Sequence, residues 1–245
     1  MVRKTVFREA VTKSRRIILR KGNVEVGGLL VLPDTAVRHR AIIALHEWWG
    51  LNDWVVQQAT DLAAHGYMVF ALDLYRGAVT TDPEEARRLK RNLPQDRAID
   101  DMKAVFDHLS THPDVEPTQV CAVGWSLGGG LALQLAIHEP RLAACVVNYG
   151  ALPAETADLQ SIEAPVLGNF GALDRSIPAA KVRGFQTAMR CLGKSVDIKL
   201  YEGAGHAFAN PANARCYRAK SATDAWGRTL AFLAIGNSQV RRLKT

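Results

Sequence analysis

Three residues far apart in the chain have the types and settings that an acyl-transfer site needs. Ser126 lies in Gly124-Trp125-Ser126-Leu127-Gly128, behind the apolar run 120–123 and ahead of Gly129-Gly130-Leu131-Ala132-Leu133. A serine with glycine two residues away on each side, a strand-like run before it and a helical one after, has the pattern of a nucleophile elbow. Such a turn lifts the hydroxyl above a sheet and leaves the next backbone N–H free to meet an oxyanion. A hydroxyl is a weak nucleophile at neutral pH and needs a base. Imidazole suits that task because it titrates near neutrality. His206 follows a strand-like run inside the glycine-rich loop Gly203-Ala204-Gly205-His206-Ala207-Phe208. By contrast, His65, His108, His112 and His138 fall on or at the ends of helical patterns, and His39 in a polar turn. Asp174, in Gly171-Ala172-Leu173-Asp174 after the run 166–170, has the type and place to orient the imidazole. It also suits the cap of a helix starting near Pro178, and Glu202 is the alternative acid.

A second oxyanion donor must come from a loop behind an earlier strand. His46-Glu47-Trp48-Trp49-Gly50 holds that place after the run 41–45, so the backbone N–H groups of Leu127 and Trp48 are the expected donors. The segment begins like a zinc-binding H-E-x-x-H helix, but position 50 is glycine, so the second ligand is missing. Neither a metal nor a cofactor is expected. Glu47, Trp49, Trp125, Tyr149 and Phe208 cluster in sequence near these loops and are the candidate pocket lining, together with Arg76. Cys121, Cys145, Cys191 and Cys216 share no metal or redox spacing, and none holds the nucleophile position.

Positioning these groups requires a sheet whose strands end at one edge. Apolar runs at 41–45, 67–72, 120–123, 143–148, 166–170 and 196–201 alternate with helical patterns at 53–66, 83–93, 95–112, 178–191 and 214–234. That alternation predicts an α/β fold with a mostly parallel central sheet covered by helices on both faces. Two further β-like runs, 16–20 and 24–32, precede it. In such sheets catalytic groups gather at the carboxyl ends of the strands. The 245 residues fit one domain, with 1–14 as an N-terminal extension. Net charge is +7, but the basic residues are scattered and no aromatic residues alternate with them, so no nucleic-acid partner is expected. No run is long enough to cross a bilayer and no secretion signal opens the chain, so a cytoplasmic location is expected, with no membrane partner. Oligomeric state is left open between monomer and homodimer.

The order Ser126, Asp174, His206 is that of the α/β-hydrolases. With His46-Glu47-Trp48-Trp49-Gly50, Asp73-Leu74-Tyr75, the elbow and the histidine loop, the chain resembles the dienelactone hydrolase family. The resemblance implies the α/β-hydrolase fold and hydrolysis of a small ester or lactone. Family members that open dienelactones typically carry a cysteine nucleophile where this chain has Ser126. The resemblance also implies that a glutamate matching Glu47 interacts with the resting thiol and moves aside when substrate binds. It further implies arginines that hold a substrate carboxylate; one would stand four residues after the histidine, where this chain has Asn210, and Arg76 lies near the place of another. The expected activity is therefore a serine hydrolase of carboxylic esters or lactones, working through an acyl-enzyme. A polyester- or lipase-like esterase and a ligand-binding pseudoenzyme on the same fold are the alternatives.

Overall fold

The structure is a computed structural model describing residues 13–22, 24–34, 38–153 and 156–242. Among them, β1 (Lys13–Lys21), β2 (Val24–Leu32), β3 (His39–Leu45), β4 (Met68–Asp73), β5 (Val115–Trp125), β6 (Ala144–Asn148), β7 (Val166–Gly171) and β8 (Val196–Tyr201) form one sheet. Its order is β1-β2-β4-β3-β5-β6-β7-β8. The first two pairings, β1 with β2 and β2 with β4, are antiparallel, and every later one is parallel. This is the α/β-hydrolase fold.

Between the strands run α1 (Asp53–Ala64), α2 (Pro83–Arg91), α3 (Gln95–Ser110), α4 (Leu127–His138), α5 (Thr156–Gln160), α6 (Ala179–Cys191) and α7 (Ala219–Arg242). The central strands β4, β6 and β7 are buried at every position, as continuous apolar runs covered on both faces must be. Alternate side chains of β3 serve two cores. Ala41, Ile43 and Leu45 pack in the core under α3, α4 and α6, whereas Ile42 and Ala44 pack in the one under α1 and α7. Asn52 caps α1 by accepting the Val55 N–H at 3.2 Å.

The structure corrects several expected boundaries. Lys13 and Ser14 are the first residues of β1, paired with Leu32 and Val31, rather than the end of an extension; residues 1–12 lie outside the described residues. α7 begins at Ala219 instead of 214, because the stretch from Asn210 to Cys216 is spent in successive turns. The short α5 carries too little periodicity to be read from sequence. No helix of the described residues is long and apolar enough to cross a membrane.

Candidate active site

β5 ends at Trp125 and α4 begins at Leu127, leaving Ser126 alone to make the turn. Its backbone sits at φ 52°, ψ −111°, a conformation that costs a non-glycine residue on the order of 1–3 kcal/mol. Contacts on both sides hold it there: the Ser126 N–H donates to Asn148 C=O at 2.9 Å, and Gly130 N–H donates to Ser126 C=O at 3.1 Å. The flanking glycines are required by close approach. A Cβ on Gly124 would lie 2.0 Å from the Gly128 carbonyl oxygen, and one on Gly128 would lie 2.1 Å from that of Leu45. The second of these contacts presses the start of α4 against the exit of β3.

Two loops bring the other side chains to the serine. The loops after β7 and β8 are joined by Ala172 N–H to Tyr201 C=O and Leu173 N–H to Ala204 C=O, both at 2.9 Å. Across that junction His206 Nδ1 stands 2.7 Å from Asp174 Oδ2, and His206 Nε2 stands 2.8 Å from Ser126 Oγ. Of the two candidate carboxylates, Asp174 is the one against the imidazole; Glu202 makes no such contact. The other Asp174 oxygen, Oδ1, accepts the N–H groups of Ser176 at 2.8 Å and Ile177 at 3.0 Å. Burial pushes this carboxyl up, but the His206 imidazole and the two amides outweigh it and hold Asp174 below the usual carboxylate range. It is an anion at neutral pH, with one oxygen for the loop and one for the ring.

Glu47 and Trp48 follow β3 and line a cleft of about 730 Å³ with Ser126, Leu127 and His206. Neither the Trp48 nor the Leu127 N–H has an acceptor among the described residues. Leu127 also opens α4, whose N-terminal dipole favours negative charge at that place. Glu47 is 1% exposed, and its Oε2 accepts the Asn210 side-chain N–H at 2.7 Å. The Tyr149 hydroxyl lies beside the carboxyl without a hydrogen bond of normal geometry, leaving Glu47 Oε1 unpartnered. Burial raises the Glu47 pKa to about 6, against the lowering pull of Asn210, His206 and Tyr149.

That elevation has a measurable consequence. Between pH 4.5, the ordinary glutamate value, and about 6, the folded chain holds a proton that the unfolded chain has released. The contribution is thus present in full below the lower value and is lost as pH rises through the upper one, by about 2 kcal/mol. Glu47→Gln is expected to abolish this component. Urea unfolding of both proteins from pH 4 to 7.5 should show the wild type losing about 2 kcal/mol relative to the variant across that window. Parallel stability curves would contradict the assignment.

The remaining sequence candidates divide. Trp49 lines the cleft, and its ring meets that of Trp48 at 4.7 Å. Arg76 does not: its guanidinium turns down to the buried Asp101 at 2.8 Å, where it offsets an interior carboxylate. Trp125 is 3% exposed and packs on Trp54, because the residue before the serine points to the opposite face of the strand. Tyr149 and Phe208 are also wholly buried. Tyr149 sets its ring edgewise to His206 at 5.5 Å, with Phe208 behind it. These three support the site instead of lining it. Sequence reasoning missed the outer wall, formed by Leu93 before α3 and Gln95 at its start, Leu152 after β6 and Ile177 after Asp174. Leu152 and Ile177 could have been found, since both follow strand ends. Asn210 was read only as a missing arginine, whereas it is the residue that holds Glu47.

The dienelactone hydrolase family model matches residues 26–235. The chain belongs to the dienelactone hydrolase family. Relatives include Protein usf of Aquifex pyrophilus, 29% identical over 220 residues that cover 86% of this chain and 94% of the relative. A Yersinia pestis protein named "Putative carboxymethylenebutenolidase" is 30% identical over 204 residues, covering 77% of this chain and 75% of its own. Among solved structures, a "Putative Dienelactone Hydrolase" from Klebsiella pneumoniae superposes with a TM-score of 0.84 at 26% identity, spanning 91% of this chain and 99% of the other. The dienelactone hydrolase family fold and hydrolase class thus apply to this chain.

Proposed function

We propose that the chain is a serine hydrolase that cleaves carboxylic esters or lactones through an acyl-enzyme. The observation that carries this reading is the unbroken hydrogen-bond line from Ser126 through His206 to Asp174, at 2.8 and 2.7 Å, with Ser126 and His206 lining the cleft. Asp174 Oδ2 accepts the Nδ1–H of His206, which leaves Nε2 with a lone pair facing the serine hydroxyl. As Oγ attacks the acyl carbon, Nε2 takes its proton and the adjacent carboxylate stabilises the imidazolium. The carbonyl oxygen becomes an oxyanion between the N–H groups of Leu127 and Trp48, each contributing roughly 3 kcal/mol to the transition state. On collapse, Nε2 returns the proton to the departing oxygen. Water then enters, loses a proton to the same nitrogen and releases the acid.

The same structure bears on the substrate. Asn210 is committed to Glu47 and Arg76 to Asp101, so neither is held ready for a carboxylate beside the scissile bond. Leu93, Leu127, Leu131, Leu152 and Ile177 give the cleft a predominantly apolar wall suited to an uncharged acyl or alkyl group. A cytoplasmic setting accords with this reading, because all four cysteines are free thiols that would stay reduced there. Fluorophosphonate probes phosphonylate an activated serine. Peptide mapping after labelling is expected to find the adduct on Ser126, and a Ser126→Ala protein is expected to take up no label. An adduct elsewhere, or none, would overturn the proposal.

A further inference from the structure

The oxyanion donor at Trp48 is only as good as the peptide plane that carries it, and one buried side chain governs that plane. His46 is 0% exposed and follows β3 directly. Its Nδ1 lies 2.5 Å from the Glu47 carbonyl oxygen, and its Nε2 lies 3.2 Å from the Leu74 backbone nitrogen. A carbonyl can only accept and a peptide N–H can only donate, so the two partners fix one tautomer: proton on Nδ1, lone pair on Nε2. Burial holds the His46 pKa down, against the Glu47 carbonyl and the Asp73 charge, and keeps the ring neutral.

The Glu47 carbonyl and the Trp48 N–H belong to the same peptide unit. In a planar trans peptide these two groups point in opposite directions. A carbonyl drawn inward to the buried imidazole therefore turns the Trp48 N–H away from it, where no described group accepts it and where Trp48 borders the cleft. Further bonds brace the unit, but they are longer or act on the side chain. Gly50 N–H donates to the same carbonyl at 3.3 Å, and Asn210 holds the Glu47 carboxylate at 2.7 Å. The Leu74 N–H anchors the ring itself to the end of β4, and the Tyr75 ring packs on it at 4.9 Å.

We infer that His46 is a positioning residue for the oxyanion hole, its Nδ1–H fixing the 47–48 peptide so that the Trp48 N–H faces the reacting carbonyl oxygen. Leaving that carbonyl without its buried donor releases the peptide to rotate, and a donor aimed elsewhere is lost to the transition state. The bond also polarises the peptide, drawing electrons from the N–H that must meet the developing charge. This inference rests on the proposed serine mechanism.

The test compares His46→Asn, His46→Gln and His46→Leu. An asparagine carboxamide nitrogen can occupy the place of Nδ1 and keep the donor to Glu47, whereas the longer glutamine reaches past it. With a p-nitrophenyl ester, Gln and Leu variants are expected to lose about 100-fold in kcat with KM within about twofold of wild type. The Asn variant is expected to recover at least about tenfold of that loss. Affinity for a trifluoromethyl ketone analogue, whose serine adduct carries the oxyanion, should fall by the same factor as kcat/KM. A merely structural histidine would lower thermal stability without this split.

Near-wild-type kcat in the Gln variant, an Asn variant no better than Leu, or a loss confined to KM would each overturn the inference. If the Leu variant fails to fold, the Asn and Gln pair decides. Nitrogen NMR of the wild-type ring gives a test free of substitution: a proton on Nε2 instead of Nδ1 would also refute it. Failure of the underlying mechanism looks different. An active Ser126→Ala protein would reject the serine mechanism, whereas an inactive one beside a fully active His46→Gln rejects only the role of His46.

Discussion

Replacing Ser126 with alanine is expected to lower kcat for a short-chain p-nitrophenyl ester by about 10⁴–10⁶-fold while leaving the fold intact. The substitution deletes one oxygen and nothing that supports the turn. The bonds at 2.9 and 3.1 Å that fix the elbow run through the Ser126 backbone, and alanine has the same Cβ to accommodate at φ 52°. The thermal midpoint should therefore stay within a few degrees of wild type, and a ground-state ester analogue should bind almost as before. A large residual rate would come from an intact oxyanion hole only if another nucleophile or water could reach the carbonyl. Activity within about tenfold of wild type would mean that Ser126 is not the nucleophile.

The sheet was readable because β4, β6 and β7 are buried on both faces and show it as unbroken apolar runs. The elbow was readable because a Cβ at 124 or 128 would come within 2.0 or 2.1 Å of a carbonyl oxygen, which leaves room only for glycine, so local geometry is written directly into residue types. Asp174 and His206 could be found because each follows a strand, and strand ends share one edge. That rule has a limit visible at Trp125 and Tyr149. It gives the edge on which a residue sits, not the face to which its side chain turns, and both rings turned inward. Arg76 was misplaced for another reason: its partner, Asp101, comes from α3, 25 residues later. A long-range ion pair of that kind leaves no local pattern. The outer wall beside α3 was hidden likewise, since it meets the cleft only through tertiary packing.

Asp174→Asn is expected to reduce kcat by about 10⁴-fold while changing stability little, because the two carboxylate oxygens have separate duties. Oδ1 accepts the Ser176 and Ile177 amides, and an asparagine carbonyl oxygen in its place still accepts both. Oδ2 faces His206 Nδ1 at 2.7 Å, and there the variant presents an NH₂ group. Two donors cannot share that bond, so the imidazole must move its proton from Nδ1 to Nε2. The nitrogen that faces Ser126 Oγ at 2.8 Å then carries a proton and cannot accept another. The variant should fail at proton transfer, not at binding, so KM should stay within a few fold while kcat collapses. Raising the pH should recover part of the rate, as hydroxide replaces the missing base. An Asp174→Asn enzyme with kcat near wild type would show that tautomer control at His206 is not what makes the serine reactive. A variant that simply unfolded would place the value of Asp174 in its loop contacts instead.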